Sequence, residues 1–122
     1  MKIIFAQKLV EKEGLSNNDM KEVIKNISKG IYTLIKGENL PKNSKLVKIY
    51  STTVQGAKRI VLLIEIVSGD SFFLFYRSKN DKIGQNISIQ NQAFKKELHK
   101  YLLILQEDLR TKNFLVFDVK NR

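Results

Sequence analysis

The chain has 122 residues, 43% of them hydrophobic, which is the size and apolar content of one globular domain rather than of a disordered segment. It contains no cysteine and a single histidine, so a disulfide framework, a thiolate metal site, a cysteine nucleophile and a multi-histidine metal site are excluded. The formal net charge is +10. Such an excess favours a polyanionic partner, first of all nucleic acid, then an acidic protein or an anionic membrane. A lysine-rich composition bias is the alternative that needs no partner.

No segment predicts a membrane anchor or a targeting signal. The apolar residues near the N-terminus end after four positions, 3–6, which is too few for a signal-peptide core. The longest apolar run, residues 60–64, is followed by Glu65 and indicates a buried strand rather than a membrane span. We therefore expect a cytoplasmic protein of one domain, over residues 1–122, that works without a cofactor.

The first part of the chain predicts a strand followed by helices. Residues 2–6 are apolar and β-prone, residues 7–13 indicate a brief helix, and Gly14 ends it. Ser16, with an acid three residues later, is typical of a helix N-cap. Apolar residues at spacings of three and four then predict an amphipathic helix over about residues 17–29.

The middle of the chain predicts three strands. After a loop over residues 37–44, period-two patterns and apolar runs indicate strands over residues 46–51, 59–67 and 71–76, with a hairpin loop over 52–57 and a turn over 68–70. Strands joined by such short turns are antiparallel. The two later runs are almost wholly apolar, which is typical of central strands covered on both faces.

The last part predicts a polar loop over residues 77–86, a long helix over about 89–110 capped by Ser88, and either a small strand or a packed tail over 114–119. Helices that cover one face of a small antiparallel sheet give an α+β sandwich. This is the fold class that the sequence predicts.

A basic set in the middle of the chain is the main candidate for a functional site, since no phosphate-binding glycine loop, Ser-His-Asp arrangement or carboxylate cluster is present. Its members are Lys45, Lys48, Lys58, Arg59, Arg77, Lys79 and Lys82. In an antiparallel sheet the start of the second strand and the end of the third share one edge, so the basic residues at these two places should converge. Lys48 should point away from the core. Tyr50 and Tyr76 interleave with the set and can stack on bases or pass protons.

The alternative is that these cations are solvated charges that discourage edge pairing. Taken singly, Lys42, Lys45 and Lys82 suit that interpretation, whereas the group around Arg59 favours a shared site. The single histidine, His99, lies beside the apolar stripe of the last helix and is expected to be a surface or packing residue.

Two segments resemble the RelE/HigB family of RNA-cleaving toxins. The first is Val47-Lys48-Ile49-Tyr50 followed by residues 55–64, where members often read Lys-Ile-Arg, a basic Gly-rich loop and an arginine that enters an apolar strand. The second is residues 75–81 followed by 86–88, which is similar to the stretch where a strand ends and a Ser- or Asn-capped helix begins. The resemblance covers roughly residues 45–105 and, through the strand–helix order, extends to the N-terminus.

The resemblance implies a RelE-like fold and the toxin of a type II toxin–antitoxin pair, which binds the ribosome and cuts mRNA without a metal. In that reaction the ribose 2′-hydroxyl attacks the neighbouring phosphate. Clustered cations stabilise the phosphorane, and a lysine crowded by other cations can act as a base. By position, the catalytic set is Lys48, Arg59 and Lys79 with Arg77 beside it, and the RNA-binding set is Lys45, Lys58 and Lys82.

Two positions depart from the family pattern. Tyr50 stands where a second basic residue is frequent, and residues 111–122 contain neither the Tyr nor the His that often carries a proton near the C-terminus. Tyr50 and Tyr76 are therefore candidate replacements for that proton carrier. The expected partners are mRNA, the ribosome and a small antitoxin, often a helix-turn-helix protein. The alternatives are a ParE-like inhibitor of DNA gyrase and a non-catalytic RNA-binding module.

Overall fold

The computed structural model describes residues 1–119 and has α+β architecture, as the sequence predicts. The elements in chain order are β1 (Lys2–Ala6), α1 (Gln7–Glu13), α2 (Asn17–Ser28), β2 (Thr33–Ile35), β3 (Ser44–Thr53), β4 (Gly56–Glu65), β5 (Ser71–Ser78), α3 (Gln92–Arg110) and β6 (Phe114–Asp118). The strands form a six-stranded sheet in the order β2-β3-β4-β5-β1-β6. All neighbours pair antiparallel except β1 and β5, which run parallel.

The first two helices lie where the sequence predicts them, and local chemistry sets their ends. α1 ends at Gly14, whose φ of 62° is the left-handed conformation that glycine adopts at little cost. At the start of α2, the Ser16 hydroxyl accepts from the Asp19 N–H and the Asp19 carboxylate accepts from the Ser16 N–H. This reciprocal capping box confirms the signal in the sequence.

α1 begins without a side-chain cap of its own, and a distant residue supplies one. Asp108 of α3 is fully buried, and its Oδ2 accepts from the backbone N–H of Lys8 at 2.9 Å. A carboxylate at a helix N-terminus satisfies a free N–H group and complements the helix dipole. This contact ties α1 to α3, and no local sequence pattern indicates it.

The strands differ from the predicted ones at their ends. Thr53 pairs with Gly56, so the hairpin loop is much shorter than the predicted span of residues 52–57. β4 ends at Glu65, and Ile66 and Val67 are exposed in the turn, so the prediction that this strand runs to residue 67 is wrong. β5 continues to Ser78, which places Arg77 in a strand rather than in a loop.

Three further features depart from the predictions or resolve them. β2 was not predicted, because three residues are too few to show a period; it pairs with β3 from Thr33 opposite Lys48 to Ile35 opposite Leu46. Residues 114–118 form a strand that pairs with β1 rather than a packed tail. Asn91, not Ser88, caps α3, and its side chain accepts from the Ala93 N–H. Residues 120–122 lie outside the described part of the chain.

Helices pack on both faces of the sheet, so the prediction that they cover one face is wrong. Successive strand residues point to opposite sides, so Lys48 and Ser51 mark opposite faces of β3, here named the Lys48 face and the Ser51 face. α2 lies on the Ser51 face, where the Asn26 side-chain amide donates to the Ser51 hydroxyl at 3.0 Å. α3 lies on the Lys48 face, where Tyr101 stacks on Phe75 with ring centroids 4.4 Å apart.

Coverage of both faces explains the continuous apolar run in β4. The consecutive residues Ile60 to Leu63 are all at most 4% exposed. A strand that carries side chains into two packed layers has no polar face and so loses the alternating pattern. The predicted central position of this strand is confirmed.

Candidate nucleic-acid interface

A pocket of about 310 Å³ opens on the Lys48 face, where the C-terminal half of β3 and the start of β4 meet the loop that follows β5. Four of the sequence-predicted residues line it: Lys48, Tyr50, Arg59 and Lys79. The remaining lining residues are polar, small or aliphatic: Asn80, Gly84, Gln85, Asn86 and Ile87. No carboxylate from residues 1–119 lines the pocket, so its electrostatic character is cationic.

The β3–β4 register brings an aromatic ring and two cations together. Tyr50 lies directly opposite Arg59, whose guanidinium carbon is 4.2 Å from the centroid of the tyrosine ring. Lys48 precedes Tyr50 by two residues in β3 and so lies on the same face, where its Nζ is 5.5 Å from that centroid. Tyr50 is 56% exposed, so one cation-flanked ring is presented to solvent. Such a ring is suited to stacking on a base beside a bound phosphate.

Lys79 joins this group because the β-ladder continues just past the end of β5. Its backbone N–H donates to the carbonyl of Ala57 at 3.0 Å. Ala57 precedes Arg59 by two positions and therefore shares its face, which brings the Lys79 side chain to the same side. The side chain is exposed at the mouth of the pocket. The predicted convergence of the second and third strand ends is thus confirmed for Arg59 and Lys79.

The loop after β5 forms the pocket wall, and Asp81 shapes it. The Asp81 Oδ1 accepts from the N–H groups of Ile83 at 2.8 Å and Gly84 at 3.3 Å, and from Arg77 at 3.3 Å. Partial burial raises the pKa of Asp81, but these hydrogen bonds and the Arg77 charge outweigh it and hold the pKa below its usual value. Gly84 is buried so close to β5 that a Cβ there would overlap the Ser78 carbonyl oxygen.

Arg77 lies opposite Arg59 in the sheet, but the structure does not place it in the pocket. Its guanidinium is held by both carboxylate oxygens of Glu13, each at 2.8 Å. The Glu13 side chain is 1% exposed and also accepts from the Tyr101 hydroxyl at 2.7 Å. The hydrogen bond to Glu13 raises the pKa of Arg77 above its ordinary value. Arg77 is therefore a structural cation whose charge is already neutralised.

Glu13 is the residue of this region that the sequence analysis missed. Besides Arg77 and Tyr101, its Oε1 accepts from the backbone N–H of Tyr76 at 2.9 Å. β1 has ended at Ala6 by this point of the sheet, so the carboxylate takes the place of a strand neighbour. Burial, and then the hydrogen bond to Glu13, raise the pKa of Tyr101 above its ordinary value. An acid in a short helix gives no sequence signal for such a role.

Lys58 and Tyr76 lie on the Ser51 face and do not join the pocket. The Lys58 Nζ is 5.6 Å from the centroid of the Tyr76 ring. Partial burial, followed by the charges of Asp19 and Glu22 on α2, raises the pKa of Tyr76. The expectation that Lys58 converges with the other cations is wrong, because adjacent strand residues point to opposite faces. For the same reason Tyr76 cannot reach the pocket that Tyr50 lines.

The outer lysines are also away from the pocket. Lys45 donates to the Tyr32 hydroxyl at 2.6 Å, near the outer edge of the sheet. Lys82 is exposed on the loop before α3 and does not line the pocket. Their placement agrees with the interpretation of these two residues as surface charges.

A larger groove of about 600 Å³ runs along α3 beside residues 38–39. Its lining includes the apolar Leu98 and Leu102 and the exposed His99, and one of its lysines, Lys95, is paired with Glu38 at 3.1 Å. The smaller pocket is the stronger candidate for nucleic acid, because it combines three cations with an exposed aromatic ring and no carboxylate of residues 1–119 lines it.

Two absences apply to residues 1–119. No group of three His, Cys, Asp or Glu side chains there is placed to hold a metal ion, and no helix there is long and apolar enough to cross a membrane. No protein-family model matches the chain, and comparisons with curated proteins and with solved structures likewise find no match. The geometry of the pocket is therefore the basis on which a function can be assigned.

Proposed function

We propose that this protein is a toxin of the RelE/HigB type, with a RelE-like fold, that cleaves mRNA on the ribosome. The observation that carries the proposal is the pocket in which Lys48 and Arg59 flank the exposed ring of Tyr50 and which Lys79 also lines. These are the positions that the family resemblance selects. The order of β1, two helices, the antiparallel strands β3 to β5 and α3 also suits that resemblance, with β2 and β6 as additional strands at the two sheet edges.

The pocket residues can divide the work of RNA transesterification. The ribose 2′-oxygen forms a bond to phosphorus, the bond from phosphorus to the 5′-oxygen breaks, and the products are a 2′,3′-cyclic phosphate and a 5′-hydroxyl. Arg59 stabilises the more negative phosphorane. Lys48 accepts the proton of the 2′-hydroxyl, and Lys79, at the mouth of the pocket, protonates the leaving 5′-oxygen. Tyr50 stacks on the base beside the scissile bond.

The remaining cations suit a second task, contact with ribosomal RNA. Three of them lie outside the pocket. Lys58 lies on the opposite face of the sheet, Lys45 near the sheet edge and Lys82 on the loop before α3. The net charge of +10 favours association with so large a polyanion. The proposed partners are therefore the ribosome and its mRNA, and a small antitoxin, often of the helix-turn-helix class, that neutralises the toxin.

Neighbouring residues on opposite faces give the sharpest test of this proposal. Wild-type protein, Arg59→Ala and Lys58→Ala are induced in cells, and transcript 5′ ends are mapped. We expect new 5′ ends and growth arrest with wild type. Arg59→Ala removes the cation beside the phosphate and should lower cleavage about 10²-fold or more. Lys58→Ala removes only one of several contacts with ribosomal RNA and should lower cleavage by less than about 10-fold. Equal effects of the two variants would place the chemistry elsewhere, and intact messages with continuing translation would contradict an endoribonuclease.

One observation favours a second candidate, a non-catalytic RNA-binding module. Tyr76 lies on the Ser51 face, so Tyr50 is the one phenol among residues 1–119 that lines the pocket, and no histidine of that range accompanies it. This candidate predicts salt-sensitive RNA binding and no cleavage when purified protein, ribosomes and mRNA are combined. A ParE-like function predicts instead that the protein blocks supercoiling by gyrase while messages stay intact.

A further inference from the structure

β3 has an open edge next to the pocket. Its pairing with β2 ends at Lys48, whereas its pairing with β4 continues to Thr53. Along residues 49–53, therefore, no strand from the described part of the chain lies on the outer side of β3. A groove of about 250 Å³ adjoins this edge, between β3 and the segment that leaves α2. An open strand edge presents backbone hydrogen-bonding groups to which an extended peptide can add as a further strand.

Large apolar side chains are exposed at the same edge. Ile31 is 76% exposed and Leu34 is 64% exposed, and Tyr32 between them in sequence is 40% exposed. Ile31 and Tyr32 line the groove, and Leu34 follows in β2 directly after Thr33, which also lines it. Contiguous exposed apolar residues of this size are typical of a surface that another molecule covers. Aliphatic side chains at a strand edge suit a polypeptide better than a nucleic acid.

Among residues 1–119, the charged side chains that line the groove are both lysines, Lys29 and Lys48. A third lysine, Lys45, lies near the ring of Tyr32, which also lines the groove. Within residues 1–119, none of these lysines forms an ion pair. A complementary ligand therefore carries carboxylates beside its apolar side chains, because electrostatic complementarity selects the partner and the register.

We propose that this groove binds an extended acidic segment of a partner protein, in which carboxylates alternate with aliphatic residues and whose backbone adds to β3 along residues 49–53. Successive residues of such a segment point to opposite faces, so one set of side chains contacts Ile31 and the other approaches Lys48. The groove and the cationic pocket share Lys48 and Tyr50. A bound segment therefore excludes RNA from the pocket, and this last consequence rests on the proposed function.

Peptide binding tests the docking site by itself. The probe is a fluorescein-labelled heptapeptide of alternating glutamate and valine, titrated with the full chain and followed by fluorescence anisotropy. The controls are the same peptide with lysine in place of glutamate and the same peptide N-methylated at every peptide nitrogen. We expect the glutamate peptide to bind at least 10-fold more tightly than either control. The proposal is overturned if the lysine peptide or the methylated peptide binds as tightly as the glutamate peptide.

Variants locate the peptide on the surface. Ile31→Asp and Lys29→Glu should each weaken binding of the glutamate peptide about 10-fold, since each places a negative charge beside the carboxylates. Lys96→Glu makes the same charge change on an exposed position of α3 and should have no effect. Amide hydrogen exchange over residues 49–53 should slow when the peptide is added. Unchanged exchange would overturn strand addition, and equal effects of all three variants would overturn the location.

A competition experiment between RNA and the glutamate peptide distinguishes failure of the docking site from failure of the proposed function. Binding of a labelled single-stranded oligouridylate is measured with and without saturating glutamate peptide, and the apparent Kd for RNA should rise about 10-fold. RNA binding that the peptide leaves unchanged would overturn the exclusion. Failure of the chain to bind RNA at all would overturn the proposed function, while the peptide titration still decides the docking site. Loss of RNA binding in Ile31→Asp, without peptide binding by wild type, would assign the groove to RNA.

Discussion

Two arginines that face each other across β4 and β5 have opposite roles, because within residues 1–119 only Arg77 has a carboxylate within reach. Arg59 stacks over the exposed ring of Tyr50, and Arg77 is bound by the buried Glu13. Both arginines belong to the basic set that the sequence analysis defines between residues 45 and 82. The charge that a ligand meets is therefore smaller than the number of cations in that stretch, and the difference is set by a residue more than sixty positions away in the chain.

At this scale the first prediction concerns Glu13. Glu13→Gln removes the charge that balances the partly buried Arg77, and it also weakens the bonds from Tyr101 and from the Tyr76 backbone. Breaking a buried pair in this way should lower the free energy of unfolding by about 3–5 kcal/mol. Urea denaturation measures the loss. Glu11→Gln makes the same change at an exposed position of α1 and should lie within about 0.5 kcal/mol of wild type. Similar losses in both variants would contradict the assigned role.

A second prediction at the residue scale concerns alkaline pH. Burial and the hydrogen bond to Glu13 raise the pKa of Tyr101 above its ordinary value of 10.0. A group whose pKa is raised by folding contributes stability that is present below its unfolded pKa and lost as the pH rises towards the folded pKa. The urea midpoint should therefore fall above about pH 10. Tyr101→Phe should be less stable near neutral pH, because the hydrogen bond to Glu13 is lost, and its stability should fall less steeply at alkaline pH, because the titrating phenol is gone. Parallel pH curves would contradict this prediction.

At the scale of elements, local chemistry was readable from the sequence and long-range chemistry was not. The capping box at Ser16 and the glycine end of α1 are satisfied within a few residues, so both helices could be predicted. β2 is a strand only because β3 lies beside it, and Asp108 caps α1 from the far end of the chain. Asn91 rather than Ser88 caps α3, because the Asn91 amide also donates hydrogen bonds to the carbonyl oxygens of Lys82 and Asn86 in the preceding loop.

The pocket wall gives a prediction at this scale. In Gly84→Ala the added methyl group would overlap the Ser78 carbonyl, so the loop that Asp81 organises must move away from β5. We expect a loss of about 1–3 kcal/mol in unfolding free energy and weaker RNA binding, although no charge changes. Gly37→Ala is the matched control, because its methyl group would meet only the movable end of the Leu40 side chain. RNA binding by Gly84→Ala at the wild-type level would show that the loop is not part of the interface.

For the whole molecule, the sequence placed the candidate site at three strand ends and predicted four of the residues that line the pocket, but it also assigned to the site Lys58, Arg77 and Tyr76, which do not line it. The antiparallel order brings the ends of β4 and β5 together, and this follows from turn lengths alone. Which face each residue occupies depends on register, and one position decides between Arg59 in the pocket and Lys58 on the opposite face. Register in turn is set by the two-residue hairpin after Thr53, which was predicted as a longer loop.

The salt dependence of RNA binding tests this division of charge over the whole surface. Each phosphate contact adds about 0.7 to the slope of log affinity against log salt for single-stranded RNA. Lys79→Ala and Arg59→Ala should each reduce the slope by about that amount, because both cations line the pocket and no carboxylate of residues 1–119 lines it with them. Lys21→Ala removes an exposed lysine of α2, which covers the Ser51 face, and should leave the slope unchanged. Equal reductions in all three variants would mean that RNA binds diffusely to the net charge rather than at the pocket.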